Sequence, residues 1–477
     1  MRDNASVKRT KIVATLGPAT NAEQMIRSLA QHGVDIIRIN FSHGTDDERL
    51  ATIAAVKKVR SELNLPLTIL QDLQGPKIRL GTFSGGPCEI HTGDTFRLRT
   101  RPTDGNAQEA SIDYPRLAEE VKPGESVFIN DGLVRLKVQD ITEDTIVTEV
   151  LKGGTLSDHK GVNFPHSDLH IPSITDKDRH DLVTGLRAAV DYVALSFVRT
   201  ADDVHELRTL METHGAHTPI IVKVEKWQAV QNIESIAAAS DGIMVARGDL
   251  GVEMPIEEVP IIQKRLIALC NRLGKPVITA TQMLNSMVEN PSPTRAEVTD
   301  VANAIFDGTD AVMLSNETAV GKFPLEAVDM MGRVIETTER SKLFWSAIEA
   351  RGAESTSDTS DAIAYAAVRS AQTLGAKLIV SATESGRTAI LVSRYRPHTP
   401  ILALTPSDVV QRRLALYFGV IPMVVRPFAS VDNILQTAVA MARSSHLAHR
   451  GDKIVITAGS HAGVAGSTNL VKVEELD

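Results

Sequence analysis

Five charged residues stand in or just past short apolar runs, where an ionised side chain needs a reason to be. Lys223 and Glu225 close the run Ile220–Val224, Asp249 follows Gly242–Ala246, Arg38 interrupts Asp35–Phe41, and Arg79 follows Leu67–Leu70. Unpaired burial of such polar groups costs about 1–3 kcal/mol or more each. A structural ion-pair network would use the same residue types, but so many at one predicted rim favour chemistry. Glu225 and Asp249 end consecutive strands, so their carboxylates can converge on one cation. With only two protein carboxylates, a hard ion such as Mg2+ keeps open positions for substrate oxygens. Lys223 precedes Glu225 on the same strand face, and an anion bridging ammonium and metal explains that juxtaposition. With Arg38 and Arg79 from neighbouring strands, the set describes a clamp for a phosphoryl group. Further polar residues stand at the other strand ends: Asn40, Ser42, Asp72, Gly248, Thr281, Ser315 and Glu317.

The elements that must hold these residues follow from the apolar pattern. Strand-like runs lie at Ile12–Leu16, Asp35–Phe41, Leu67–Leu70, Tyr192–Val198, Ile220–Val224, Gly242–Ala246, Val277–Ala280 and Ala311–Leu314. Helical periodicity lies between several of them, at Ala22–Gln31, Glu48–Leu63, Ala201–His214, Ile256–Leu273 and Thr299–Phe306. This α/β alternation predicts a (β/α)8 TIM barrel, in which catalytic residues sit at the carboxyl ends of the strands. The rhythm breaks between Gly75 and Ile171, where alternating patterns and turn clusters predict an inserted β-rich, barrel-like lid over the active face. After Ser341 a polar stretch, Gly352–Ser360, reads as a linker, and a second α/β rhythm runs to Ile454–Thr457. The expected division is a barrel of residues 1–75 and 172–341, a lid of 76–171 and a C-terminal α/β regulatory domain of 342–477.

Composition bounds the function from outside. The 477 residues carry a net charge of −8, against a general nucleic-acid or membrane-surface role. At about 150 residues per domain the length suits three domains. Cys88 and Cys270 are far apart and form no Cys-x-x-Cys, so neither a disulfide framework nor a thiolate zinc site is encoded. The polar start, Met1–Lys11, is not followed by a signal-peptide core, and the uncharged stretch Ile454–Val471 is broken by Gly, Ser and Thr. The reading is a cytoplasmic protein. No GxxxxGK[ST] loop and no protein-kinase glycine loop is present, so any nucleotide binds by another route. The Arg247–Gly248–Asp249 triplet, at a barrel rim, is a coincidental likeness to an adhesion motif.

Taken together, Lys11-Ile-Val-Ala-Thr-Leu-Gly-Pro18, Arg38-Ile-Asn-Phe-Ser-His-Gly44, Asp72-Leu-Gln-Gly-Pro-Lys-Ile-Arg79, Ile221-Val-Lys-Val-Glu225, Met244-Val-Ala-Arg-Gly-Asp-Leu-Gly251, Thr279-Ala-Thr-Gln-Met283 and Met313-Leu-Ser-Asn-Glu-Thr318 resemble the successive motifs of the pyruvate kinases, in that family's order. The resemblance covers essentially the whole chain. It implies phosphoryl transfer from phosphoenolpyruvate to ADP, giving pyruvate and ATP. On the matching positions, Glu225 and Asp249 would hold Mg2+, for which Mn2+ can substitute, and backbone N–H groups at Gly248 and Asp249 would bind the substrate carboxylate. Lys223 would neutralise the phosphoryl group in flight, assisted by Arg38. Thr281 would orient a proton relay to the enolate carbon through water and Ser315, since a neutral Thr is a poor acid. Arg79, His43, Asn40 and Lys160 would meet the nucleotide, Lys160 on closure of the inserted domain. A homotetramer is implied by the family alone.

Departures from the family pattern carry information. Many members bind K+ at positions matching Asn40, Ser42, Asp72 and a Thr carbonyl, with a nearby Glu. Here the Thr position is Leu73, followed by Gln74, and the Glu position is Lys77. The expectation is that Lys77 supplies the charge and that K+ is not required. Asn316 and Val320 are further departures, the second removing a possible nucleotide contact. In the C-terminal domain Thr383-Glu-Ser-Gly-Arg-Thr388 links a strand to a helix. Through Thr383, Ser385, Gly386, Arg387 and Thr388 it resembles the phosphate loop of the family's effector pocket, implying AMP or a sugar phosphate as ligand. Two other readings remain at this point: a Mg2+-dependent aldolase or lyase working through a pyruvate enolate, which ADP dependence would distinguish, and a catalytically silent metabolite-sensing scaffold.

Overall fold

In the computed structural model of the chain, residues 8–165, 167, 169–352, 358–459 and 468–477 are described. Residues 1–7, most of the polar start, and 353–357, most of the expected linker, lie outside them, as do residues 460–467 of the uncharged stretch.

Parallel strands covered on both faces read as continuous apolar runs, and eight such runs close into a barrel. Its strands are β1 (Lys11–Leu16), β2 (Ile36–Asn40), β3 (Thr68–Asp72), β4 (Tyr192–Leu195), β5 (Ile220–Val224), β6 (Gly242–Ala246), β7 (Val277–Ala280) and β8 (Ala311–Leu314). Each pairs in parallel with the next, and β8 returns to β1 with Lys11 opposite Ala311. Val13, Ile36, Leu70, Tyr192, Ile221, Met244, Ile278 and Met313 fill the lumen, while the outward faces pack against the surrounding helices.

Boundaries differ from the sequence expectation for identifiable reasons. The helix expected from Glu48 begins at Asp46, and the one expected from Thr299 begins at Arg295. In both, a Thr before the helix and a Glu three residues on satisfy each other's backbone N–H groups, Thr45 with Glu48 and Thr294 with Glu297. Apolar periodicity starts only after such a capping box. The same device opens helix Asp176–Arg187, whose polar sequence gives little periodic signal. The third strand runs two residues beyond Leu70, because both of those residues find partners inside: Gln71 Nε2 donates to the Asp181 carbonyl at 2.7 Å, and Asp72 is ion-paired. Ile256–Leu273 divides into a 3-10 turn (Ile256–Glu258) and a helix (Val259–Leu273). Ser360, expected in the linker, already lies in helix Thr359–Leu374.

Between β3 and helix Asp176–Arg187 the chain builds a β domain with its own core, including Phe96, Leu98, Val127, Leu136 and Ile146. The described residues of this domain form a six-stranded sheet, beside whose two edge strands residues 79–80 bridge to Gly161 and Ile112, and a separate two-stranded one. The C-terminal domain is a five-stranded sheet with helices on both faces. Four parallel strands, Leu378–Ala382, Ile401–Thr405, Val420–Val424 and Lys453–Gly459, are joined by an antiparallel last strand, Thr468–Glu475, which the sequence pattern did not reveal. This domain seals the amino end of the barrel. Leu416 enters the lumen cluster, the Tyr192 hydroxyl donates to the Arg413 carbonyl at 2.9 Å, and Arg396 makes a two-point ion pair with Asp310 at 2.6 and 2.7 Å. The carboxyl end is left for the site. Among the described residues no helix is long and apolar enough to cross a membrane.

Candidate active site

The carboxyl rim gathers the charges on β2, β3 and β5. Arg38, on β2, donates from Nε to Asp72 Oδ2 at 2.7 Å, with Nη2 at 2.6 Å from the same oxygen, and from Nη1 to Thr15 Oγ1 at 3.0 Å. Lys223 Nζ lies 2.8 Å from Glu225 Oε1 and 3.4 Å from Asp72 Oδ1, and donates to Ser196 Oγ at 2.8 Å. The Ser196 hydroxyl in turn donates to the Leu73 carbonyl at 2.7 Å. The ammonium is therefore pinned by three groups from three strands. The remaining Glu225 oxygen accepts the Phe197 N–H at 2.9 Å, and Phe197 sits in the left-handed region at φ 57°.

These contacts set the charge states. Burial pushes Asp72 toward its neutral form, but Lys223 and Arg38 outweigh it and hold the carboxyl below the usual aspartate range. Burial pulls the Lys223 ammonium down, and Asp72 with Glu225 more than restores it, so it stays protonated. Glu225 goes the other way: burial, reinforced by the Asp249 carboxylate, raises it despite Lys223. A buried carboxylate raised by a second carboxylate nearby is what a bound dication would relieve. The donors are hard oxygens, Glu225 closing β5 and Asp249 in the first turn of helix Arg247–Glu253, and they suit Mg2+. No group of three or more His, Cys, Asp or Glu side chains able to hold a metal occurs among the described residues. Two carboxylates leave room for substrate oxygens.

On the opposite side, Thr281 and Gln282 both take left-handed backbone conformations, at φ 70° and 55°. For residues other than glycine this costs on the order of 1–3 kcal/mol each and persists only where surroundings impose it. Here Thr281 Oγ1 accepts the Gly248 N–H at 2.7 Å and donates to the Ala280 carbonyl at 2.7 Å, and Arg247 Nη2 donates to the Thr281 carbonyl at 2.7 Å. Thr281 is thus tied directly to the segment carrying Gly248 and Asp249. No hydrogen bond joins Ser315 to it among the described residues; Glu317 bridges their two loops, accepting the Ser315 N–H at 2.7 Å and the Leu284 N–H at 3.0 Å.

The expected nucleotide residues are more dispersed. Arg79 does not join Arg38. Its Nη1 donates to the His159 carbonyl at 3.1 Å, beside Lys160, because residue 79 already pairs with Gly161 in the inserted domain. His43 is exposed at the end of β2, and Asn40 Oδ1 accepts the Ser42 N–H at 3.1 Å. Lys77 lies beside Gly161, and among the described residues its ammonium makes no hydrogen bond or ion pair, with Asn40, Ser42 and Asp72 or with any other group. In the C-terminal domain Gly386 takes φ 89° at the start of helix Arg387–Arg394 and donates its N–H to Thr383 Oγ1 at 2.9 Å. The Thr388 hydroxyl pairs with that of Thr468 at 2.7 Å, Ser385 is exposed, and Arg387 lies 3.1 Å from Asp358.

Sequence reasoning missed Thr15 and Ser196. Each is a single hydroxyl in or at the end of an apolar run, and hydroxyls are common enough there to carry no signal.

Comparison with known proteins follows the geometry. The family model described as the pyruvate kinase barrel domain matches residues 7–328, and that of the pyruvate kinase alpha/beta domain matches residues 361–474. Pyruvate kinase 2 of Synechocystis sp. is 48% identical over 99% of this chain and 80% of the relative. The pyruvate kinase of Clostridium perfringens is 43% identical over 98% of this chain and its own full length. A solved pyruvate kinase from Cryptosporidium parvum superposes with a TM-score of 0.93 at 37% identity, covering 100% of this chain and 98% of the other.

Proposed function

The chain belongs to the pyruvate kinase family, and from that membership we propose how its residues divide the work of the reaction. The activity is phosphoryl transfer from phosphoenolpyruvate to ADP, giving pyruvate and ATP in glycolysis. The aldolase or lyase and silent-scaffold readings give way to it.

Lys223 is the electrostatic catalyst. Its ammonium stays protonated and is pinned by Glu225, Asp72 and Ser196, which fixes a positive charge where phosphoryl oxygens develop negative charge. That single arrangement carries the reading. Arg38 shares the task from β2. Glu225 and Asp249 would hold the Mg2+ that the family generally uses, which when bound draws charge off substrate oxygens; Mn2+ suits the same donors. Gly248 and Asp249 offer backbone N–H groups to the substrate carboxylate, in exchange for the bond that Gly248 otherwise gives Thr281. Freed by that exchange, the Thr281 hydroxyl orients the proton relay to the enolate carbon, with Ser315 and water beyond it. Arg79, His43, Asn40 and Lys160 receive ADP, Arg79 and Lys160 arriving with the inserted domain as it closes. Pyruvate formation from phosphoenolpyruvate, ADP and Mg2+ tests the assignment, and turnover without ADP would overturn it.

The finer reading includes independence from K+. Its support is residue type, Leu73 and Lys77 in place of a Thr and a Glu, together with an oxygen cluster already engaged: Asp72 by two cations, the Leu73 carbonyl by Ser196 and Asn40 by Ser42. The loop Thr383–Thr388 is read as the site of a phosphate-bearing effector, AMP or a sugar phosphate, on the strength of its hydroxyls, Arg387 and a helix start at Gly386. A cytoplasmic homotetramer is proposed by analogy with the family.

A further inference from the structure

One buried carboxylate outside the site described above joins three of its parts. Glu253 is the last residue of helix Arg247–Glu253, whose first turn carries Gly248 and Asp249, and it is 2% exposed. Its Oε1 lies 2.6 Å from Lys226 Nζ, and Lys226 directly follows Glu225 in the chain. The same oxygen accepts a hydrogen bond from Asn163 Nδ2 at 3.3 Å. Asn163 belongs to the inserted domain, at the end of the Lys160-Gly-Val-Asn163 segment. Lys226 also lies over the Phe197 ring, 5.6 Å from its centre, and Phe197 is the residue whose N–H holds the second Glu225 oxygen. These groups line an open cleft between the inserted domain and the barrel, with Lys77 on its wall.

From this convergence we infer that Glu253 is a positioning residue that couples the inserted domain to the two carboxylates of the site: the Asn163–Glu253 contact sets the rim helix bearing Asp249 and, through Lys226 and Phe197, the seat of Glu225. The bond from Asn163 is long for an amide donor and is the only one of the three that crosses between domains, so it changes when the inserted domain moves, whereas the Lys226 pair stays within the barrel. A lid bringing Lys160 onto the nucleotide thereby acts on Asp249 at the other substrate. Misplacement of a reacting group by a fraction of an ångström to an ångström costs about 10- to 100-fold in rate. The inference rests on reading Glu225 and Asp249 as the metal carboxylates and goes beyond it to what aligns them.

The test exchanges the two groups without changing the inventory. Asn163→Asp sets carboxylate against carboxylate. Asn163→Asp with Glu253→Gln restores one carboxylate, one amide and the Lys226 ammonium with their places swapped. Turnover is measured with saturating phosphoenolpyruvate, ADP and Mg2+, alongside the KM of each substrate and thermal melting. The expected result is a drop in kcat of about tenfold or more for Asn163→Asp, a raised KM for ADP, an unchanged melting temperature, and recovery of most of kcat in the double variant. Unchanged kcat in Asn163→Asp, or a double variant no better than Asn163→Asp alone, overturns the coupling. Mn2+ binding followed by its spin-resonance spectrum separates the underlying reading: it is lost in Asp249→Asn if that residue is a metal carboxylate, and its persistence there rejects that role whatever the exchange shows.

Discussion

Arg38 and Asp72 meet in a two-point grip on one oxygen, with Nε at 2.7 Å and Nη2 at 2.6 Å, while Lys223 stands 3.4 Å from the other carboxylate oxygen. Asp72 is nearly fully buried, so the site holds two cations in place with one carboxylate shared between them. On the proposed reading this carboxylate is the mount for both cations of the phosphoryl clamp.

Its pH dependence follows. Lys223 and Arg38 hold the Asp72 carboxyl below its ordinary value, so the folded protein takes up that proton less readily than the unfolded chain. Stability therefore rises with pH in the acid range. The contribution is complete above the unfolded aspartate value of about 4 and is lost as pH falls through the lower folded value. Asp72→Asn removes this component and takes the carboxylate partner from Arg38, while Lys223 keeps Glu225, at a cost of about 3–5 kcal/mol. Urea unfolding across the acid range checks it: the parent loses stability faster than the variant as pH falls. Parallel curves contradict the assignment.

The cation requirement is a second test. With Lys77 in place of a carboxylate, pyruvate formation with Mg2+ in Tris buffer is expected to be unchanged by added K+. Lys77→Glu is expected to lower turnover in Tris and to regain it with K+. Strong activation of the parent by K+, with Na+ inert, contradicts the reading.

Effector response is a third. Charged hydrogen bonds contribute about 1.5–3 kcal/mol each, so Arg387→Ala should weaken activation by AMP or a sugar phosphate about tenfold or more. Ser385→Ala should act in the same direction by less. Turnover without effector should be retained in both. Variants that respond like the parent remove the loop from consideration.

Much of this was legible in the residues because parallel barrel strands advertise themselves. Ile220–Val224, Gly242–Ala246, Val277–Ala280 and Ala311–Leu314 are apolar on both faces and end where the sequence suggests, so Lys223, Glu225, Asp249 and Thr281 could be placed on one rim. The boundaries that moved are those set by polar groups. Capping boxes at Thr45 and Thr294 start helices before the apolar period begins, and Gln71 and Asp72 extend β3 because each finds an internal partner. Thr15, Ser196 and Glu253 were invisible for a related reason. Their role lies in which distant group they touch, and no local spacing encodes a hydroxyl meeting Arg38 or a carboxylate meeting Asn163. Arg79 shows the converse: its motif marks it as functional, but pairing with Gly161 assigns it to the inserted domain rather than to the clamp.

The most direct test of the account concerns Lys223. Pyruvate formation from phosphoenolpyruvate and ADP with Mg2+ is compared between the parent chain and Lys223→Met, with phosphoenolpyruvate binding measured separately by equilibrium titration. Removing a preorganised electrostatic donor costs about 100- to 1000-fold in kcat. The account predicts a loss of that order with phosphoenolpyruvate still bound at near-parent affinity. A variant that turns over within a few-fold of the parent would contradict it.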